Sequence, residues 1–169
     1  AAEALAICWR DIDFTKKEIR IRRNLLYRKR PSGEYGFYIT TPKTKKSKRE
    51  IPMIDKLEQI LREEYERQKQ DGFCEAVVDG KKGFVFMNRN GGVFCSEIVN
   101  SAIKRIYRAY NKEETAKAKE EHREPILLPH FSCHHLRHTF CTRYCEVEPN
   151  ARIVQEVMGH SNIITTMNI

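Results

Sequence analysis

The stretch Ser132-Cys133-His134-His135-Leu136-Arg137-His138-Thr139-Phe140 says more about fold and chemistry than any other part of this 169-residue chain. It stands at the start of an apparent helix, where side chains three positions apart project from one face. His134 and Arg137 are therefore expected side by side. An imidazole beside a forked guanidinium suits a phosphate group that must be both held and protonated.

The composition is that of a globular protein with an anionic partner. Apolar residues make up 40% of the chain, charged residues make up 32%, and the formal net charge is +8. The length suffices for one domain with its own core but hardly for two. The positive charge makes nucleic acid the first candidate partner. No apolar run is long enough to span a bilayer and no signal peptide is visible, so no membrane partner is expected.

Hydrophobic periodicity predicts a mainly helical α+β domain with one small antiparallel sheet near the N terminus. The predicted strands lie around residues 19–26, 35–40 and 49–51, and the predicted helices cover residues 1–8, 52–71, 133–146 and 151–158, with another starting at Ser96. The cationic run 41–48 is expected at a hairpin tip. The charged segment 111–123 is either an extension of the helix from Ser96 or an insertion.

Four segments follow one another along the chain: Glu3-Ala4-Leu5 with Trp9-x-Asp11, Pro42-Lys43-Thr44 with Ile51-Pro52, His134-x-Leu136-Arg137-His138, and Val157-Met158-Gly159-His160-Ser161. In this order they resemble the first box, the lysine hairpin, the second box and the third box of the tyrosine recombinases, the integrase family that cuts and rejoins DNA. Together they span nearly the whole chain. The resemblance implies the family's DNA breaking-rejoining catalytic core.

The spacing of the family's boxes also implies two residues that the sequence does not contain. An arginine is due three residues before Glu3, and the nucleophilic tyrosine is due nine or ten residues after His160. Nine places it at Ile169, which cannot serve, and ten places it immediately after Ile169. We therefore expect residues 1–169 to be a catalytic domain that is cut at both ends. The ending Met167-Asn168-Ile169 resembles integrases of conjugative transposons, in which tyrosine comes next. By itself this chain is expected to bind DNA weakly and not to cleave it.

The resemblance assigns roles in phosphodiester transfer. Arg137 and the missing arginine would clamp the non-bridging oxygens, while Lys43 would protonate the leaving oxygen. His134 and His160 would donate hydrogen bonds or move protons, and Glu3 and His138 would support these catalytic side chains. The cations expected to contact DNA are Arg22, Lys45, Lys46, Lys48 and Arg49.

The family's reaction also implies the partners. The tyrosine would form a 3′-phosphotyrosyl link that stores the bond energy, so neither a metal nor a cofactor is expected. The expected partner is double-stranded DNA, on which the family assembles as a homo-tetramer spanning two duplexes. The bacterial cytoplasm is the expected location.

Other interpretations explain less of the sequence. His134, His138, Cys141 and Cys145 form one helical stripe of zinc-type ligands, but a helix sets positions i and i+7 about 10 Å apart, too far for one ion. The two cysteines are better explained as small buried residues, and Trp9, Phe140 and Tyr144 as core.

Two further alternatives concern function. A non-catalytic helical DNA-binding module would use the strand cations Arg20, Arg22 and Arg23 and the hairpin lysines, and it would have no use for a tyrosine after Ile169. A protein-interaction domain built on the charged segment 111–123 explains neither the second nor the third box. In isolation, Lys43 would be an ordinary surface lysine and His160 a helix cap.

Overall fold

The computed structural model describes residues 1–30, 33–41, 48–159 and 162. Its elements, in chain order, are helix α1 (Ala2–Leu5), a 3-10 turn (Trp9–Asp11), strands β1 (Ile12–Asp13), β2 (Glu18–Ile21), β3 (Asn24–Lys29), β4 (Tyr35–Thr40) and β5 (Arg49–Pro52), and helices α2 (Asp55–Asp71), α3 (Ser96–Glu120), α4 (Cys133–Val147) and α5 (Ala151–Met158). The predicted mainly helical α+β class is confirmed. No helix in these described ranges is long and apolar enough to cross a bilayer.

The predicted small sheet is present but is divided in two. Strands β1, β2 and β5 form one antiparallel sheet in that spatial order, and β3 and β4 form a separate antiparallel pair. In β2, Ile19 and Ile21 are buried while the residues between and before them are half-exposed, as a strand with one buried face requires. Ile19 lies opposite Ile51 in β5, so the chain returns to β2 after the 41–48 segment.

The sheet also explains why α2 begins later than predicted. Pro52 pairs with Glu18 as the last residue of β5, and the helix starts at Asp55. The helical spacing of Ile54, Leu57, Ile60, Leu61 and Tyr65 predicts one apolar face for α2, but only part of that face is buried. Leu61 is buried in the core beside β2, whereas Ile54 and Ile60 are exposed.

Three apolar clusters hold the described residues together. The first lies between α1, β3 and the segment before α3, and is centred on Phe84, while the second lies between the three-stranded sheet and α2. The third is small and joins α4 to α5 through Cys141, Val154 and Met158. This third cluster fixes the end of α5 against α4, where the predicted catalytic motifs meet.

The ends of α4 and α5 follow from local sequence. Ser132 caps α4, and its backbone N–H donates to Nδ1 of His135 at 3.2 Å. The side chain of Asn150 caps α5 by accepting from the backbone N–H of Arg152 at 3.1 Å. Gly159 ends α5 in the left-handed conformation that favours glycine. The predicted bounds of both helices are correct to within one residue.

Two of the predicted core residues of α4 are exposed. Phe140 is 51% exposed and stacks on Tyr144 with ring centroids 5.6 Å apart, and Cys145 is exposed as well. The face of α4 that meets α5 is the one carrying Cys141, which is fully buried. Phe140 and Cys145 lie off that face, which periodicity alone did not identify. Tyr144 packs partly against the buried cluster.

The charged segment 111–123 is mostly a helical extension of α3 and holds the connector that leads to α4. Asn111 donates to the carbonyl of Leu128 at 2.9 Å and accepts from its N–H at 2.8 Å. Glu114 accepts hydrogen bonds from Arg123 and from the N–H of Ile126, and the Arg123 bond is the main reason why its pKa falls to about 2. The polar residues of this segment therefore fix the approach to the second box.

A buried glutamine ties α2 to the N-terminal half. The side chain of Gln68 is fully buried, accepts from Nε1 of Trp9 at 2.9 Å and donates to the carbonyl of Val85 at 2.8 Å. A further bond goes to Glu64 at 2.6 Å. Because buried polar groups are costly when they lose a partner, these bonds contribute to stability even though the site itself is elsewhere.

We predict that Gln68→Met lowers the free energy of unfolding by about 2–3 kcal/mol, because it strands a buried donor and a buried acceptor while keeping the side-chain volume. Gln59→Met removes an exposed bond to Glu63 on the same helix, so its expected loss is below about 0.5 kcal/mol. Urea unfolding of the purified proteins measures both. Equal losses for the two variants would show that the Gln68 bonds contribute nothing particular.

Candidate active site

The two histidines of the second box face each other one helical turn apart. Nε2 of His134 lies 2.8 Å from Nε2 of His138, with ring centroids 4.3 Å apart and an interplanar angle of 89°. Both residues are exposed at the start of α4. One imidazole can donate to the other while that second ring keeps its remaining nitrogen for another partner. This contact is what a supporting role of His138 beside His134 requires.

Arg137 immediately precedes His138 in α4, and its side chain points toward the C-terminal end of α5. It is half-buried, and its Nη2 donates to the carbonyl of Met158, the second residue before the third-box position 160. Burial lowers the pKa of Arg137, the carboxylate of Glu3 opposes that effect, and the charge of Arg49 adds to it. An arginine stays protonated at neutral pH and carries five N–H donors, so this single bond leaves donors for an anion.

Arg49, the first residue of β5, also contacts the C-terminal end of α5. Its side chain is 11% exposed, and its Nε donates to the carbonyl of Val157 at 2.8 Å. Its two terminal nitrogens donate to the two carboxylate oxygens of Glu3, at 2.9 and 3.2 Å. Such a forked pair is the strong form of an ion pair. The predicted DNA contact of Arg49 thus has protein partners in the structure.

Two guanidinium groups therefore meet at the C-terminal end of α5. The last carbonyls of a helix lack partners within the helix and carry a partial negative charge, so cations stabilise them. The bonds from Arg49 and Arg137 satisfy the carbonyls of Val157 and Met158. Glu3, from the first box, forms an ion pair with Arg49, and its negative charge also acts on Arg137. The structure thus brings described parts of the first, second and third boxes together.

Gly159 makes the approach of Arg49 possible. Its φ of +67° favours glycine, and a Cβ built there would lie 2.6 Å from Nη1 of Arg49 and 2.8 Å from its Cζ. A side chain at this position would push the guanidinium away from α5. The glycine of the third box therefore has a packing role in addition to ending the helix.

The remaining predicted DNA contacts differ in their surroundings. Lys48 is exposed. Arg22 donates to Glu50 at 2.7 Å. The neighbouring strand arginines are also bound to carboxylates: Arg20 to Asp13, and Arg23 to Asp11 through a buried forked pair. The strand cations that a DNA-binding module would use are thus partly neutralised by the protein itself.

Some predicted site residues lie outside the described ranges. These are Lys43, Lys45, Lys46 and His160. Among the residues that the structure does describe, no three histidine, cysteine, aspartate or glutamate side chains are grouped closely enough to hold a metal ion. Cys141, one member of the predicted stripe of zinc-type ligands, is instead fully buried between α4 and α5.

Sequence reasoning missed the arrangement around Arg49. Its partners Glu3 and Val157 are 46 and 108 residues away along the chain, and no periodicity reports such distant contacts. The available signal was indirect: a glutamate in the first box with a supporting role needs a cation to support. The polar clamp of Asn111 and Glu114 on the connector was missed for the same reason.

Comparison with known proteins gives one consistent answer. The model of the phage integrase family matches residues 1–169. The transposase of transposon Tn916 from Enterococcus faecalis is 35% identical over 158 residues, which are 94% of this chain and 35% of that protein. A XerC-like tyrosine recombinase from Caldanaerobacter subterraneus subsp. tengcongensis is 30% identical over 174 residues, 99% of this chain and 40% of that protein.

Solved structures agree with the sequence matches. The integrase of transposon Tn1549, in complex with a circular intermediate DNA, superposes with a TM-score of 0.80 at 30% identity and covers 99% of this chain and 48% of that one. The XerA recombinase, at 19% identity and a TM-score of 0.56, shares the fold. The chain thus spans between about a third and a half of the length of the Tn916, XerC-like and Tn1549 relatives.

The packing of Gly159 against Arg49 yields a stability prediction. Gly159→Ala should lower the free energy of unfolding by about 2–4 kcal/mol, because it adds a clash to the cost of a left-handed alanine. Gly80→Ala is the matched control: its φ is +71°, but nothing lies within 4 Å of the point that a Cβ would occupy there. The expected loss in the free energy of unfolding of Gly80→Ala is only about 1–2 kcal/mol. Equal losses in urea unfolding would show that Arg49 gives way without cost.

Proposed function

Because the chain belongs to the phage integrase family of tyrosine recombinases, we propose that it is the catalytic domain of a protein that recombines DNA at specific sites. The carrying observation is the contact of Arg137 with the carbonyl of Met158. It brings the second box to the start of the third, with Glu3 of the first box close enough to act on the charge of Arg137. Order along the chain and proximity in space thus support the same chemistry.

The geometry supports a role for Arg137 in holding the scissile phosphate. Attack on a phosphodiester places negative charge on the non-bridging oxygens, and a guanidinium held in a half-buried position stabilises that charge without having to reorganise. His134 is exposed on the same face of α4, where its imidazole would donate a hydrogen bond to the same phosphate. Its contact with His138 would fix the ring's orientation.

The remaining catalytic groups would come from the family positions. Lys43 would protonate the leaving 5′ oxygen, and His160 would assist at the phosphate. In the whole protein, an arginine three residues before Glu3 and a tyrosine ten residues after His160 would complete the set. The tyrosine attacks phosphorus, the P–O5′ bond breaks, and a 3′-phosphotyrosyl link forms. The freed 5′ hydroxyl of another strand reverses these steps, so no metal or cofactor is needed.

The partner that this chemistry requires is double-stranded DNA. The net charge of +8 supports attraction to a polyanion. The relatives of known structure include the Tn1549 integrase in complex with DNA. We propose strand exchange between two duplexes by a homo-tetramer of the whole protein, in the bacterial cytoplasm. Mobile-element integration is the kind of recombination that the Tn916 and Tn1549 relatives support.

The test of this function is a covalent protein–DNA adduct. The whole protein is incubated with a nicked duplex that carries its attachment site, without divalent metal, and adducts that survive detergent are counted on a gel. The wild-type protein should form them. Arg137→Ala should reduce the single-turnover rate by at least about 100-fold, because a preorganised donor to the transition-state charge is lost.

Arg143→Ala is the matched control on the same helix. Arg143 is an exposed arginine whose partner is Glu146, so this variant should form adducts at the wild-type rate. Site-specific binding without any adduct from the wild-type protein would instead favour the non-catalytic DNA-binding module. Equal rates for Arg137→Ala and wild type would exclude Arg137 from the chemistry.

Exposed cations next to the lysine-rich segment 41–48 should contribute to DNA affinity through phosphate contacts. Lys48→Gln should weaken binding of the whole protein to its site and make the slope of log Kd against log salt concentration less steep by about one. Lys69→Gln, at an exposed lysine of α2 that pairs with Glu66, is the matched control and should leave the slope unchanged. A slope that Lys48→Gln does not alter would remove Lys48 from the DNA interface.

A further inference from the structure

We propose that Arg49 is a positioning residue for strand cleavage, holding the end of α5 in register with the first and second boxes. This inference rests on the proposed function and deepens it. Arg49 was expected to bind DNA, but its guanidinium is nearly buried and is bound to Glu3 and to the carbonyl of Val157. It therefore acts on the reaction through the protein.

The hydrogen bonds of Arg49 hold its side chain in one orientation. A guanidinium is planar, and its fork matches a carboxylate in one orientation. The bonds to both oxygens of Glu3 fix the plane of the Arg49 side chain, and the Nε bond then fixes the carbonyl of Val157. Three segments that are distant in sequence, namely α1, β5 and α5, are thereby held by one side chain.

Arg49 also contacts the glycine that ends α5. Gly159 ends the helix and packs its open side against Arg49, and the third-box histidine is the next residue in the sequence. The tyrosine of the family follows in the same segment. The direction in which the chain leaves α5 therefore determines where the third-box groups arrive relative to Arg137. A misplacement of about 1 Å at a reacting group can reduce a rate by about 100-fold.

Arg137 depends on the same anchor. Its bond to the carbonyl of Met158 is adjacent to the bond that Arg49 makes to Val157. If Arg49 is removed, the carbonyl of Val157 and the carboxylate of Glu3 both lose the hydrogen bonds that Arg49 donates. Within the described part of the chain, Arg137 is a cation that could take over, since its charge already interacts with Glu3. Loss of Arg49 would thus turn the Arg137 guanidinium out of the orientation that cleavage requires, while its charge stays at the same surface.

The test uses Arg49→Lys and Arg49→Gln in the whole protein. Lysine keeps the charge but loses the planar fork, so it cannot hold Glu3 and Val157 together. Both variants should reduce single-turnover cleavage at saturating DNA by about 10- to 100-fold. DNA affinity and its salt slope should stay at wild-type values. Hydrogen exchange of the peptide that spans α5 should become faster in both variants.

Two controls separate positioning from general stability. Arg67→Lys breaks a similar forked pair with Glu64 on exposed α2, and it should change neither cleavage nor exchange in α5. Gln68→Met lowers global stability without touching Arg49 or its partners. If stability alone governed cleavage, Gln68→Met would reduce the rate as much as Arg49→Lys, and this result would overturn the inference.

Other outcomes are equally decisive. Cleavage by Arg49→Lys at the wild-type rate would overturn the inference. So would a salt slope that is about one unit less steep in Arg49→Gln and of wild-type steepness in Arg49→Lys, because that pattern indicates a phosphate contact. If Arg49→Lys does not fold, Glu3→Gln breaks the same fork with an isosteric side chain and should give the same combination of results.

Different results would overturn the proposed function and this inference. Absence of an adduct from the wild-type protein on a verified attachment site would overturn the proposed function. Unchanged hydrogen exchange in α5 of the Arg49 variants would overturn the positioning role, whatever the wild-type protein does on DNA.

Discussion

The structure depends on the meeting of two arginines and one glutamate at the C-terminal end of α5. Arg49 and Arg137 satisfy the carbonyls that the helix leaves without partners, and Glu3 balances part of their charge. Removing one member of a partly buried ionic group is costly because the others remain charged and lose hydrogen bonds. The arrangement therefore favours one relative position of α1, β5 and α5, which gives the first, second and third boxes a common frame.

Contacts made by α3 fix the position of the second box. The backbone N–H of Cys133 donates to the side chain of Asn100 in α3 at 3.0 Å, and the connector before it is clamped by Asn111 and Glu114. The long polar half of α3, which had no evident purpose in the sequence, thus sets the position at which α4 begins. Since α4 carries His134 and Arg137, α3 affects the site without contributing a residue to it.

The places where periodicity failed have a shared cause. It predicted an apolar face for α2 and a buried Phe140 in α4, yet Ile54, Ile60 and Phe140 are exposed. A helical pattern gives the face that can be buried, but it does not say how much of that face a neighbouring element covers. In α4 the covering element is α5, only eight residues long, and it covers the side with Cys141.

By itself the sequence determined the class of the fold, most of the helices and strands, and the family, because residue types at fixed spacings suffice for these. It also supplied the residues of the second box, since His134 and Arg137 are neighbours on any helix. Only the tertiary structure decided that Arg49 is bound to Glu3 and Val157, 46 and 108 residues away. A lysine-rich hairpin suggests solvent-exposed cations, and a charge becomes buried only when folding brings its partners to it.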